Sequence, residues 1–198
     1  MDWDARYRQR DTPWQRPGLN PAFETWFGGA SAARLRGEHV LVPGCGRAPE
    51  PAEFARRGAS VTGLDIAPTA IAWQTEACAK AGLAGQFLLA DIVTWRPDPP
   101  AGLIYEQTCL CAIHPRERAA YEAFAFGSLK SGGELYALIM QNSVRPGGPP
   151  YHCDVSEMRT LFAPSRWQWQ ASEPLRSDHP NGMYELGYVL SRLGRTVH

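Results

Sequence analysis

The chain has 198 residues, with 20 Lys plus Arg against 20 Asp plus Glu and a formal net charge of zero. It therefore carries no electrostatic footprint for nucleic acid or an anionic membrane. No apolar run approaches the ~20 residues of a membrane span, and five cysteines without framework spacing point to reduced thiols in the cytoplasm. The N-terminus is charged and lacks an apolar leader. These features predict one domain over 1–198, a monomer whose partner is a small molecule.

Residues 1–19 are polar with spaced aromatics, Trp3, Tyr7 and Trp14, and Asp11-Thr12-Pro13 reads as a turn. Asn20 and Pro21 read as an N-cap and first helical position. Phe23, Trp26, Phe27 and Leu35 supply an apolar face broken by Gly28-Gly29. Val40–Pro43 is the first predicted strand. A helix from Pro49 to Arg57 follows, stopped by Gly58. The second strand, Val61–Leu64, ends at Asp65. A helix over Ala67–Ala81, opened by Pro68, turns Ile71 and its alanines inward. Phe87–Ala90 is a third strand ending at Asp91, with Ile92, Val93 and Trp95 as a wall beyond it.

Strand, glycine turn, helix, strand, carboxylate is how a doubly wound α/β protein builds a nucleoside crevice. Gly44 and Gly46 let the backbone approach a ligand, and Asp65, about 20 residues further on, accepts from ribose hydroxyls. The dinucleotide fingerprint needs a third glycine. Here Gly44-Cys45-Gly46-Arg47-Ala48-Pro49 offers none, and Pro49 has no N–H for a pyrophosphate. S-adenosylmethionine, which has no phosphate, tolerates this turn. Asp91 stands where its carboxylate or adjoining backbone receives an adenine amine.

Residues 103–111 read as strand four and its exit, which places Gln107 and Thr108 against the methionyl part of the cofactor. Pro115–Leu129 reads as a helix, with Tyr121, Phe124 and Leu129 packing and Arg116, Glu117, Arg118 and Glu122 facing water. Ser131-Gly132-Gly133 is a turn into strand five, Glu134–Met140. A Pro/Gly loop spans 141–153, and Asp154 caps a helix through Phe162. Trp167–Gln170 and Tyr184–Leu190 alternate as strands around a turn at 178–182. The count is about seven strands.

Several stretches together resemble one family: Leu-Val-Pro-Gly-Cys-Gly (41–46), Gly-Leu-Asp-Ile (63–66), Asp-Ile-Val-Thr-Trp-Arg-Pro (91–97), Cys-Ala-Ile-His-Pro (111–115), Gly-Gly-Pro-Pro-Tyr (147–151) and Thr12-Pro13-Trp14. They look like the thiopurine S-methyltransferases, closest to the thiol, halide and thiocyanate branch, over residues 3 to 160. The resemblance implies a class I, Rossmann-like α/β fold with a seven-stranded, mostly parallel sheet and helices on both faces. It also implies S-adenosylmethionine as cofactor. Residues 1–36 become an arm and helix over the cofactor cleft, with Trp14 lining it; a sulfonium favours an aromatic face. Gly44, Gly46, Asp65, Ile66, Asp91, Ile92, Gln107 and Thr108 complete the candidate cofactor set. Tyr151 lines the acceptor pocket, and His114 stands where relatives often carry Glu. Gln15 stands where the family has an acid, and Glu106 is the nearest match to a family Asp.

Methyl transfer from a sulfonium needs alignment and exclusion of water rather than a metal or a covalent intermediate. If a proton must leave, His114, His152, Tyr151 and Asp154 are the candidates. Cys109, Cys111, His114, His152 and Cys153 match no standard zinc spacing; on a strand, Cys109 and Cys111 would share a face. Three readings stay open: a methyltransferase acting on a small sulfur or halide nucleophile, a nicotinamide oxidoreductase, and a cofactor-binding protein without catalysis.

Overall fold

The computed structural model describes residues 1–144 and 147–194. The chain divides into two compact units, Met1–Trp95 and Arg96–His198. Among the described residues no helix is long and apolar enough to cross a membrane, and the five cysteines are free thiols.

In the first unit three parallel strands lie in the order β3-β2-β1: β1 His39–Pro43, β2 Ser60–Asp65 and β3 Gln86–Leu89. The apolar runs read from the sequence are these strands, and β1 and β2 are buried along almost their whole length, as parallel strands covered on both faces are. The N-terminal arm, in whose first ten residues the sequence reading assigned no element, opens with a helix, α1 Trp3–Arg8, capped by Asp2, whose side chain accepts from the Ala5 amide. Next come α2 Pro21–Phe27, capped by Asn20 as expected, and a 3-10 helix over Gly29–Leu35. The helix after β1, α3, spans Glu50–Arg56. Phe23 and Phe27 of α2 meet Phe54 of α3 with ring centroids 4.8 and 5.1 Å away. Those three buried rings anchor the arm, each burying a large apolar surface.

The helix after β2, α4, spans Pro68–Lys80. Its inward stripe is Ala70, Gln74 and Cys78, spaced by four residues. Ile71 is only half-buried, so the expected inward face is rotated, with a glutamine at its centre.

In the second unit β4 (Ala101–Gln107) runs parallel to β5 (Leu129–Gln141), and β5 runs antiparallel to β8 (Tyr184–Arg192). β8 carries β7 (Leu175–Asp178) along its start and β6 (Trp167–Trp169) along its end. The sequence count was one short: β7 was missed because Leu175-Arg176-Ser177-Asp178 shows no apolar alternation. The 178–182 turn joins β7 to β8, not β6 to β8. Ser131-Gly132-Gly133 is not a turn before β5 but an irregularity inside it, where the pairing register with β4 shifts.

The helix predicted over Pro115–Leu129 is a 3-10 turn at Pro115–Glu117 followed by α5, Arg118–Ser128. Leu129 already belongs to β5. Arg118 and Glu122 do not face water; both are buried. Cys109 and Cys111 lie in a turn beyond β4, not on a strand. The last helix, α6 Val155–Leu161, is capped by Asp154, whose carboxylate accepts from the Ser156 and Glu157 amides.

Candidate active site

In the first unit the glycine turn after β1 is held by its own surroundings. The Cys45 amide donates to the Leu64 carbonyl at 2.9 Å and the Ala48 amide to the Cys45 carbonyl at 3.2 Å. The Gly46 amide donates to Asp65 Oδ2 at 2.9 Å, and the Ala67 amide to Asp65 Oδ1 at 2.9 Å. Gln74, buried on α4, donates to the Cys45 and Ala48 carbonyls at 3.1 and 2.9 Å. Asp65 therefore joins the turn to the start of α4. Burial raises its carboxyl above the ordinary range, while the Ala67 and Gly46 amides pull it back.

Helix α1 closes over this turn. Gly44 and Gly46 both adopt positive φ, 59° and 47°. A Cβ on Gly46 would lie 2.5 Å from the Tyr7 hydroxyl, so only glycine admits the ring. Tyr7 packs with Ala67 and Ala70, and Trp3 and Trp14 cover the cluster. Trp14 meets Tyr7 edge-on at 5.8 Å and carries the Arg6 guanidinium 4.4 Å over its ring. One face of the ring expected to meet a sulfonium is thus already held by a cation. Asp4 Oδ1 accepts the Thr69 amide at 2.8 Å. It caps α4, whose own N-cap residue, Ala67, supplies no side-chain bond. Burial, and next the charge of Asp65, raise the Tyr7 phenol well above its usual value, so it stays neutral.

Nucleoside chemistry fits this turn, and pyrophosphate does not. A phosphate cradle aims several amides at the ligand. Here the amides of Cys45, Gly46 and Ala48 are engaged internally, and Pro49 has none. Beyond the turn, Ile66, Leu89 and Val93 are 53%, 59% and 44% exposed at and just past the ends of β2 and β3. That is apolar surface suited to a flat base. Asp91 is exposed beside it, with Oδ1 accepting the Val93 amide at 2.9 Å. Ile92 is buried and belongs to the wall's support.

In the second unit the exit of β4 is tied from below. Glu106 is 1% exposed. Its Oε1 accepts the Cys109 and Leu110 amides at 3.0 and 2.8 Å, and its Oε2 accepts the Tyr121 hydroxyl. Burial pushes its carboxyl up to about 7 against the pull of those donors. Gln107 Oε1 accepts the Tyr105 hydroxyl at 3.0 Å. Thr108 has φ 60° and donates to the Gln107 carbonyl at 2.7 Å. Burial holds the Cys111 thiol up and pushes that of Cys153 to about 12, so neither is a nucleophile at neutral pH.

Tyr151 and His114 come together. The Tyr151 amide donates to the Cys111 carbonyl at 2.7 Å, and its ring meets that of His114 edge-on at 5.4 Å. His114 is exposed, and its Nδ1 accepts the Arg116 amide at 3.3 Å. His152 Nδ1 accepts the Asn142 amide at 3.1 Å, and Asp154 caps α6; both are occupied structurally. The sequence reading missed Tyr7, Gln74 and Arg118. Tyr7 had a signal, an aromatic one helical turn from Trp3 and Asp4; the other two had none.

The fold is that of the class I S-adenosylmethionine-dependent methyltransferases. The magnesium protoporphyrin IX methyltransferase (ChlM) from Synechocystis PCC 6803, solved with bound SAH, superposes with a TM-score of 0.76 at 13% identity over 95% of this chain and 94% of that one. The chain belongs to the thiopurine S-methyltransferase family, whose model matches residues 1–185, and is thus a methyltransferase. Among its relatives are thiocyanate methyltransferase 1 and probable thiol methyltransferase 2 of Arabidopsis thaliana. Each is 32% identical over 164 residues, 82% of this chain and 71% of the relative.

Proposed function

We propose that the acceptor of this methyltransferase is a small soft nucleophile that reacts as an anion, a thiolate or a halide or thiocyanate. The observation that carries this is Glu106. The acid at the strand exit is turned inward, with both oxygens engaged by two amides and a phenol, so it is not poised to take an acceptor's proton. A thiol with a pKa of ~8.5 needs little such help, because a few per cent is already ionised at neutral pH. The two Arabidopsis relatives named for thiocyanate and thiol methylation support the same class.

In this reading 1–198 acts as one methyltransferase domain. The turn at Gly44–Gly46, Asp65, Ile66 and Asp91, closed by Trp14 and Tyr7, holds the nucleoside; Ile92 backs it, and Gln107 and Thr108 meet the methionyl tail. When bound, S-adenosylmethionine supplies an electrophilic methyl group on a sulfonium. Asp65 fixes the turn through Gly46 and has lone pairs left for ribose hydroxyls. Tyr151 and His114 present ring edges to the acceptor and exclude water.

The test is calorimetric titration with S-adenosylhomocysteine and with NAD, then methyl transfer to a panel of thiols, iodide and thiocyanate. Micromolar S-adenosylhomocysteine binding with turnover of a thiol or an anion is expected. Turnover confined to amines or alcohols overturns the acceptor class, and NAD binding overturns the nucleoside assignment.

A further inference from the structure

Arg118 opens α5, is only 5% exposed, and lies directly behind the segment that carries Tyr151. Its Nη2 donates to the His152 carbonyl at 2.8 Å and to Cys153 Sγ at 3.2 Å. The carboxylate it approaches, Glu157 on α6, is 3.9 Å from Nη1 and 69% exposed. At that distance and exposure the pair is a weak one. Arg118 Nε is buried with no hydrogen-bond partner among the described residues. Burying a guanidinium in this way is unfavourable unless its position does something for the protein.

What it touches is the 151–153 segment. The Tyr151 amide binds the Cys111 carbonyl at 2.7 Å and the Gln141 side chain donates to the Cys153 carbonyl at 2.9 Å. With Arg118 on His152 between them, three consecutive residues are fixed from three different elements. The Tyr151–His114 ring pair is set by this segment and by the turn after Cys111, and Arg118 is a cation held against the back of the segment.

We propose that Arg118 is a positioning residue for the methyl acceptor. It holds the 151–153 segment so that Tyr151 meets His114, and it places a fixed positive charge behind that wall. Resting on the acceptor reading above, this makes the wall selective for acceptors that react as anions. A guanidinium at a desolvated site acts over a longer reach than a neutral donor.

The experiment compares Arg118→Met and Arg118→Lys with the parent. Arg118→Met should bind S-adenosylhomocysteine within about twofold of the parent yet lose at least ~10-fold in kcat/KM for thiol or iodide, mostly through acceptor KM. Arg118→Lys keeps the charge but not the fork and should recover part of that loss for anionic acceptors. Hydrogen exchange of the 151–154 backbone, which needs no acceptor, should quicken in Arg118→Met while the rest of the protein is unchanged. Unaltered acceptor KM and exchange in Arg118→Met overturns the proposal. So does loss of S-adenosylhomocysteine binding in step with activity, which marks Arg118 as a general staple. A parent inert on thiols and anions defeats the acceptor reading alone, and the exchange data still decide whether Arg118 positions Tyr151.

Discussion

The two units hold their candidate residues by different means. In Met1–Trp95 nearly every polar contact at the site ends on main chain: Asp65 on the Gly46 and Ala67 amides, Gln74 on the Cys45 and Ala48 carbonyls, Asp4 on the Thr69 amide. In Arg96–His198 the site rests on charged side chains taken out of water, Glu106, Arg118 and Glu122. Glu122 receives the Trp167 indole N–H at 2.6 Å and pairs with Arg166 at 3.1 Å. A site made of backbone depends on conformation, and a site made of buried charges depends on protonation and partners. The first fails by sterics, the second by pH or loss of a partner.

The largest effect should come from breaking the backbone site. Gly46→Val places a branched side chain at φ 47° with its Cβ 2.5 Å from the Tyr7 hydroxyl. Left-handed strain and overpacking together are worth about 3 kcal/mol, or ~100-fold in affinity. S-adenosylhomocysteine binding should fall by at least that factor in calorimetry. Exchange of the 151–154 backbone should not change, since that segment is held within its own unit. Normal ligand affinity in Gly46→Val would show that Tyr7 does not close this turn.

The buried-charge site should respond to pH. Burial lifts Glu106 from an ordinary 4.5 to about 7. A folded-state value above the unfolded one means the native protein holds the proton more tightly. The stabilisation is full below pH ~4.5 and is lost as pH rises through about 7. That shift amounts to about 3 kcal/mol at most. Glu106→Gln stays neutral, accepts the Cys109 and Leu110 amides with its oxygen, and donates to Tyr121. Urea unfolding at pH 5 and pH 8 should show the parent losing up to that much relative to the variant. Parallel pH profiles would mean that Glu106 is not proton-bound in the fold.

Legibility followed the same division. The turn at Gly44 and Gly46, Asp65 at the end of β2 and Asp91 just past β3 were readable as positions because a glycine turn and an acid after an apolar run are encoded within a short stretch. The Asn20 and Asp154 caps were readable for the same local reason. Arg118 and Glu122 are four apart, the spacing of a solvated helical ion pair, and nothing nearby in sequence announces that His152, Cys153 and Trp167 wait for them. α1 was missed because its stabilisation comes from Ala67, Ala70 and Thr69, some sixty residues away. β7 was missed because it is defined by β8 rather than by its own pattern.

The smallest predicted effect probes where the backbone site itself depends on a distant charge. Asp4 caps α4 from α1 and also pairs with Arg8 at 3.0 Å. The Thr69 amide bond lowers its carboxyl below the usual range, so the tether is intact above the ordinary carboxylate value and weakens as pH falls through the lowered one. The contact is only part-buried, and Tyr7, Trp3 and Trp14 keep α1 in place without it. Asp4→Ala should therefore weaken S-adenosylhomocysteine binding only about twofold to fivefold, with a matching rise in the exchange of the first turn of α4. Asp4→Asn, which still accepts from Thr69, should recover most of it. A loss as large as that of Gly46→Val would mean that the turn is held mainly by the arm's charge, and the contrast between the two units would fail at its backbone end.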